Sequence, residues 1–256
     1  MATFFITVPL TFLLFYCAAL RWLRNGVIKT AQANASIARA KQHTGLPMLS
    51  VIVSARNEAH NLPRLIRCLQ AQDYPADRIE FCLVDDRSGD ETWDILQRAR
   101  QRDNRFKAFR IVDTIADFAP KKRALDRAIR AAHGEILLLT DADCSPPPTW
   151  ARCMASHYTG DIIMLPGYSP YRFDAPVPKL LAGMLALDFF SLAAVAAAAI
   201  GQGYPLTAAG CNLSYRRSTY FQTGGFESIR QWVSGDDDLF LLNVAQQKLG
   251  RIGYAL

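Results

Sequence analysis

Aspartates are the residues of this chain whose spacing most invites chemistry. Asp141 and Asp143 close the apolar run "ILLLTDAD", one residue apart. In an extended segment residues i and i+2 point to the same side. The pair is therefore expected to present two hard oxygen donors together, a set suited to Mg2+ or Mn2+. Mg2+ takes one or two protein carboxylates and fills its shell with water and substrate phosphate. Asp85 and Asp86 end a second apolar run, "IEFCLVDD". Adjacent strand residues face opposite ways, so Asp85 is the expected contact to a base or ribose hydroxyl and Asp86 a helix cap. Lys121, Lys122 and Arg123 open a helical pattern, where a helix N-terminus and nearby cations suit a phosphate; a solvated face accounts for one or two of them. Asp236, Asp237 and Asp238 stand together in "SGDDDLFLL". Three adjacent carboxylates repel, which raises the pKa of at least one, while helix-start acids favoured by the dipole account for one or two.

These groups need a frame. "MLSVIVSA", "RIEFCLVDD", "FKAFRIV", "EILLLT" and "DIIML" are short, mostly apolar runs and predict five strands. Between them "NEAHNLPRLIRCLQAQ", "GDETWDILQRARQR", "KKRALDRAIRAAHG" and "PTWARCMASHY" carry helical spacing, with Asp90 or Ser88 capping the second and Gly134 stopping the third. Strand–helix alternation with mostly apolar strands predicts a parallel sheet with helices on both faces. Ligands bind such sheets beyond the carboxyl ends of the strands. Ala55, Arg56 and Glu58 follow the first strand there, Asp85 and Asp86 the second, Asp141 and Asp143 the fourth. The first strand leads into no Gly-x-Gly-x-x-Gly and no P-loop, which argues against a dinucleotide dehydrogenase or a P-loop NTPase.

The charge is uneven. Six of the 29 Lys and Arg residues precede Glu58, the first acid, and the remainder balance the 23 Asp and Glu. An excess beside a hydrophobic N-terminus indicates a membrane surface and argues against a nucleic-acid partner. The first 20 residues carry no charge and are followed, not preceded, by cations. That favours an uncleaved anchor over a signal peptide, with the remainder cytoplasmic. The expected organisation is an anchor over 1–24, a basic juxtamembrane linker over 25–47 and a catalytic domain over 48–256. A second apolar stretch, 180–200, is read as an interfacial or semi-buried helix, with a membrane span as the alternative and Asp188 as a buried or acceptor-contacting acid. The six cysteines form no Cys-x-x-Cys and are expected to be buried free thiols. The four histidines have no metal-ligand spacing.

Together, "SVIVSARNE", "VDDRSGDET", "KKRALD", "DADCSPPPTW" and "AAGCNLSYRRSTYFQTGGF" resemble the family 2 glycosyltransferases of GT-A fold, from about Leu49 to Phe240. Lys121 takes the family's lysine position, and Asp126 stands where Asn is common. The resemblance implies a nucleotide-diphospho-sugar donor, a UDP-sugar before a GDP-sugar. Ala55, Arg56, Glu58, Asp85, Asp86 and Lys121 would hold the nucleotide, Asp141 and Asp143 the metal and diphosphate, and Gly210 and Asn212 would line the sugar or acceptor region. It also implies inverting transfer by single displacement, with a general base at Asp236, or Asp237 in second place. The acceptor is expected to be lipid-linked or a polysaccharide of the envelope. The chain ends in "RIGYAL", short of the Q-x-x-R-W motif and later membrane helices of many relatives, so a fragment or an incomplete acceptor site is expected. Two other readings stay open: a sugar-1-phosphate nucleotidyltransferase, disfavoured because "SVIVSARNE" has no glycine-rich loop, and a non-catalytic nucleotide-binding membrane subunit.

Overall fold

The computed structural model describes residues 2–40, 45–173 and 176–256, with side chains outside 2–6 and 38–40. Each predicted strand forms, on a run of mostly apolar residues. The chain enters α1 (Ala2–Ala40), then β1 (Leu49–Ala55), α2 (Leu62–Gln70), β2 (Ile79–Asp86), α3 (Thr92–Arg102) and β3 (Phe106–Ile111). It continues through α4 (Pro120–Ala131), β4 (Ile136–Leu139), α5 (Trp150–Ala155) and β5 (Ile162–Pro166). Last come α6 (Lys179–Gly201), β6 (Leu213–Arg216), α7 (Arg217–Gln222), α8 (Asp238–Gln247) and β7 (Arg251–Ile252).

The strands make one sheet in the order β3-β2-β1-β4-β6-β5-β7. β3, β2, β1 and β4 are parallel, β6 is antiparallel to both its neighbours, and β7 is parallel to β5. The sheet is thus mostly parallel but mixed. The late segment that supplies β6, read only as lining a site, inserts a strand between β4 and β5. Two apolar cores cover the faces. One gathers Val51, Leu65, Phe81, Leu138 and Met154, the other Ile52, Leu125, Leu137, Tyr215 and Phe240. Strand order turns back at β1 and β4, so a crevice opens between their carboxyl ends.

The opposite end of the sheet holds a buried charge. Glu80 accepts hydrogen bonds from the Ser50 hydroxyl and the His133 amide and pairs with Lys107. Burial alone would raise its pKa, but the His133 amide, Lys107 and Ser50 outweigh burial and hold it below the ordinary glutamate value. Its folded pKa being depressed, Glu80 contributes stability above its unfolded pKa that is lost as pH falls through the folded value. Glu80→Gln is expected to destabilise the fold by about 1–2 kcal/mol near neutrality, because it removes a buried acceptor that serves Ser50, His133 and Lys107. The loss should shrink on acidification, as read by urea unfolding across pH. Gly134 does not act by a left-handed turn, since it is absent from the positive-φ glycines and α4 already ends at Ala131. It is needed because a Cβ there would lie 2.4 Å from the Ser50 amide nitrogen.

α1 runs unbroken through residue 24, where the linker was expected to begin, to residue 40; residues 41–44 of that linker lie outside the described residues. Its early turns expose Val8, Leu10, Phe12, Leu13, Leu14 and Phe15. Its later turns pack on the end of α6, where small residues let the backbones approach. A Cβ on Gly26 would lie 2.1 Å from the Ala198 carbonyl, and Thr30 donates to the Ala197 carbonyl. α6 buries Ala196–Ile200 and exposes most of what precedes them. By length and composition it could cross a membrane, the one such helix found among the described residues. Asp188, expected to be a buried pairing acid or an acceptor contact, is exposed on it, which overturns the first of the two. The thiols differ from expectation too: Cys82 is buried, Cys17 and Cys153 are exposed, and the others lie between.

Candidate active site

The loops after β1 and β2 are stitched together. Asn57, at φ 56°, donates its amide to the Ser88 hydroxyl and accepts from the Gly89 amide. The Glu58 and Ala59 amides donate to Thr92 and Asp90. The Glu58 carboxylate accepts from the Asn61 side chain, and Arg56 projects into solvent. Asp90 also accepts from the Thr92 amide at the start of α3. Asp86, expected to cap that helix, instead pairs with Arg87.

Ala55, Asp85 and Arg110 stand in register across β1, β2 and β3. Asp85 is fully buried, and its Oδ1 accepts from the Ser88 amide. The Arg110 guanidinium lies 3.2 Å from Oδ2, off the line a hydrogen bond requires, so that oxygen has no hydrogen-bond donor among the described residues. A buried, unsatisfied carboxylate oxygen is costly, and its place at a strand end suits a ligand N–H or O–H. Sequence reading missed Arg110; the signal was a cation inside the apolar run "FKAFRIV".

Asp141 and Asp143 flank the buried Ala142 in a turn closed by the Cys144 amide on the Asp141 carbonyl. The segment is therefore not extended, and the i, i+2 rule is not what places the two acids. Asp141 is half-buried and Asp143 exposed, its carbonyl held by Arg64. The prolines behind them are clamped to the end of α2, with the Pro147 carbonyl accepting from Gln72 and the Pro148 carbonyl from the Asp73 amide.

Lys121 ties this turn to the far wall. Its ammonium lies 3.1 Å from Asp141 and 3.1 Å from Asp236. Burial acts to lower its pKa, and the two carboxylates overcome burial and hold it above the ordinary lysine value. Its neighbours part company. Arg123 binds Asp113, and Lys122 is fully buried, donating to the Trp232 and Ser234 carbonyls at 2.6 Å each. Burial pulls the Lys122 pKa down, against the opposing pull of Asp236 and Asp237.

The three acids also divide. Asp238 accepts from the Thr207 hydroxyl and Ala208 amide. Asp237 caps α8, accepting from the Asp238 and Gly210 amides. Burial, with Asp236 and Asp238 nearby, raises the Asp237 pKa. Asp236 is buried and meets Lys121. Gly210 lies against the pair, where a Cβ would come within 3.2 Å of Asp237. Asn212 is committed elsewhere, accepting from the Trp150 indole and donating to the Tyr168 carbonyl.

No group of three His, Cys, Asp or Glu side chains able to hold a metal occurs among the described residues. A cation in this crevice would rest on Asp141 and Asp143, hard oxygens that fit Mg2+ or Mn2+ when water and phosphate complete the shell.

Residues 50–169, which include both strand-end acid pairs and Lys121, match the family described as Glycosyl transferase family 2. The match spans a little under half of the chain. The chain is 30% identical over 125 residues to glycosyltransferase AglE of Haloferax volcanii, covering 48% of this chain and 39% of that protein. It is 30% identical over 112 residues to beta-monoglucosyldiacylglycerol synthase of Synechocystis sp., covering 44% of this chain and 23% of that one. The matches thus span well under half the length of these relatives. Likeness of fold extends past the matched segment. Mannosyltransferase PcManGT from Pyrobaculum calidifontis, solved with GDP-Man and Mn2+, superposes with a TM-score of 0.60 at 21% identity, over 91% of this chain and 66% of that one.

Proposed function

We propose that the chain transfers a sugar from a nucleotide-diphospho-sugar to an acceptor hydroxyl, with inversion at the anomeric carbon. The observation that carries this reading is the shared ammonium of Lys121, which joins Asp141 on the donor side to Asp236 on the facing wall of one crevice. Asp85 accepts from the donor's base or ribose through the oxygen that faces Arg110 without a hydrogen bond, with Ala55, Arg56 and Glu58 around the same nucleotide. Asp141 and Asp143 would hold Mg2+ or Mn2+ with the diphosphate. A bound cation there neutralises charge on the leaving diphosphate. Asp236 takes the proton of the acceptor hydroxyl as its oxygen bonds to the anomeric carbon and the bond to the diphosphate breaks. Asp237, with both oxygens held by backbone amides, serves as a cap, and Asn212 as a brace behind Gly210.

We place the acceptor among lipid-linked or envelope glycans and the crevice on the cytoplasmic side, with α1 anchoring the chain. The exposed apolar turns of α1 and α6 and the glycolipid-synthase relative support this. The test is a panel of UDP- and GDP-sugars with Mn2+ or Mg2+ read by thermal shift, followed by product analysis with membrane lipids. A stabilising donor and a glycosylated lipid are expected; no stabilisation by any donor would sink the reading.

A further inference from the structure

A lysine with no exposed surface needs a reason. Lys122 sits in the first turn of α4 beside Lys121. Neighbours on a helix are rotated by about 100° and do not face each other, so one dipeptide reaches two places. Lys121 enters the crevice, and Lys122 goes beneath the segment leading to Asp236. There its ammonium donates to the Trp232 and Ser234 carbonyls at 2.6 Å each. Charge-assisted bonds of this kind are roughly twice as strong as neutral ones, which offsets part of the desolvation.

Among the described residues the segment it grips has few other ties, one of them the bond from the Trp232 amide to the Ile229 carbonyl. Arg230 through Ser234 are exposed, Trp232 and Val233 strongly so. Besides Lys122, the Ala119 amide at the head of α4 donates to the Arg230 carbonyl. The segment ends at Gly235, whose φ of 87° and contact with Leu239 leave no room for a Cβ. Asp236 follows at once. Its position therefore depends on a run whose side chains are solvated and whose backbone is tied to α4.

We propose that Lys122 is a positioning residue for transfer: it clamps the 230–235 backbone to α4 and so keeps Asp236 opposite Asp141. The proposal rests on the role of Asp236 given above. Misplacing a reacting group by about 1 Å can cost on the order of a hundredfold in rate.

Lys122→Met keeps the buried stem and removes the donors. It is expected to lower kcat about tenfold to a hundredfold, with the KM for the donor and the affinity for UDP or GDP with Mn2+ unchanged. Amide hydrogen exchange should quicken over 230–238 and stay slow in β1 and β2. Lys122→Arg, which can still donate to two carbonyls, should recover much of both. Ala119→Pro is the second variant, since it removes the other tether without uncovering a charge and the φ of −56° at 119 already suits proline. It should show the same pattern, more weakly, even if Lys122→Met does not fold. Wild-type kcat and exchange in a folded Lys122→Met would overturn the clamp, as would equal losses of nucleotide affinity and kcat. If the wild-type protein transfers nothing, the functional reading fails, while the exchange measurement still decides whether Lys122 holds the segment.

Discussion

Asp236→Asn is expected to lower kcat for sugar transfer by roughly a thousandfold, within the range measured for loss of a general base. The change is nearly isosteric and leaves an oxygen for Lys121, but the amide cannot accept the acceptor's proton. Donor binding involves other residues, so the KM for the nucleotide sugar should stay close to wild type while kcat falls. Asp237→Asn separates this role from mere burial of acids at the start of α8. Asp237 is held by two backbone amides, so its replacement should act mainly on stability. The pKa of Asp237 is raised in the fold. Between the ordinary aspartate value and the raised one, the native state holds more protons than the unfolded chain. Stability from this group is full below that window and lost as pH rises through it. Asp237→Asn should remove that slope from the pH dependence of unfolding. A kcat loss at Asp237 as large as at Asp236 would move the base assignment one residue on.

The second large effect is at Asp143. Asp143→Asn should abolish detectable transfer and weaken metal-dependent binding of UDP or GDP, because a metal worth several kcal/mol to the leaving diphosphate loses one of two protein ligands. On a scale of 1.36 kcal/mol per decade that is on the order of 10^3-fold. Asp143 is the better probe of the two acids, because its side chain is exposed whereas Asp141 also pairs with Lys121. Its replacement should leave folding stability within about 0.5 kcal/mol of wild type. Calorimetry with UDP and Mn2+ reads the binding loss, and unchanged transfer would remove the metal from the mechanism.

The legible parts of this molecule were those carried by local pattern. Mostly apolar runs marked β1 to β5, since a strand covered on both faces carries few polar residues. "LSYR" did not announce β6, because four residues show no period and what makes them a strand is pairing with β4 and β5. The acids at 85, 141 and 236 were visible as types at strand or helix ends. Which of them stay available was not visible. Asp86, Asp237, Asp238 and Asn212 look equally polar in the sequence, and only packing commits them to Arg87, the Gly210 amide, the Ala208 amide and Trp150.

The sequence by itself determined the parallel half of the sheet, the strand ends where polar groups gather and the apolar character of α1 and α6, because each follows from the spacing of residues near one another in the chain. The tertiary structure decided the rest. It set Arg110 beside Asp85, buried Lys122 under 230–235, and put one ammonium between Asp141 and Asp236, which lie 95 residues apart. Those pairings depend on strand order and on the rotation of α4 about its own axis. Both are set by packing across the whole domain.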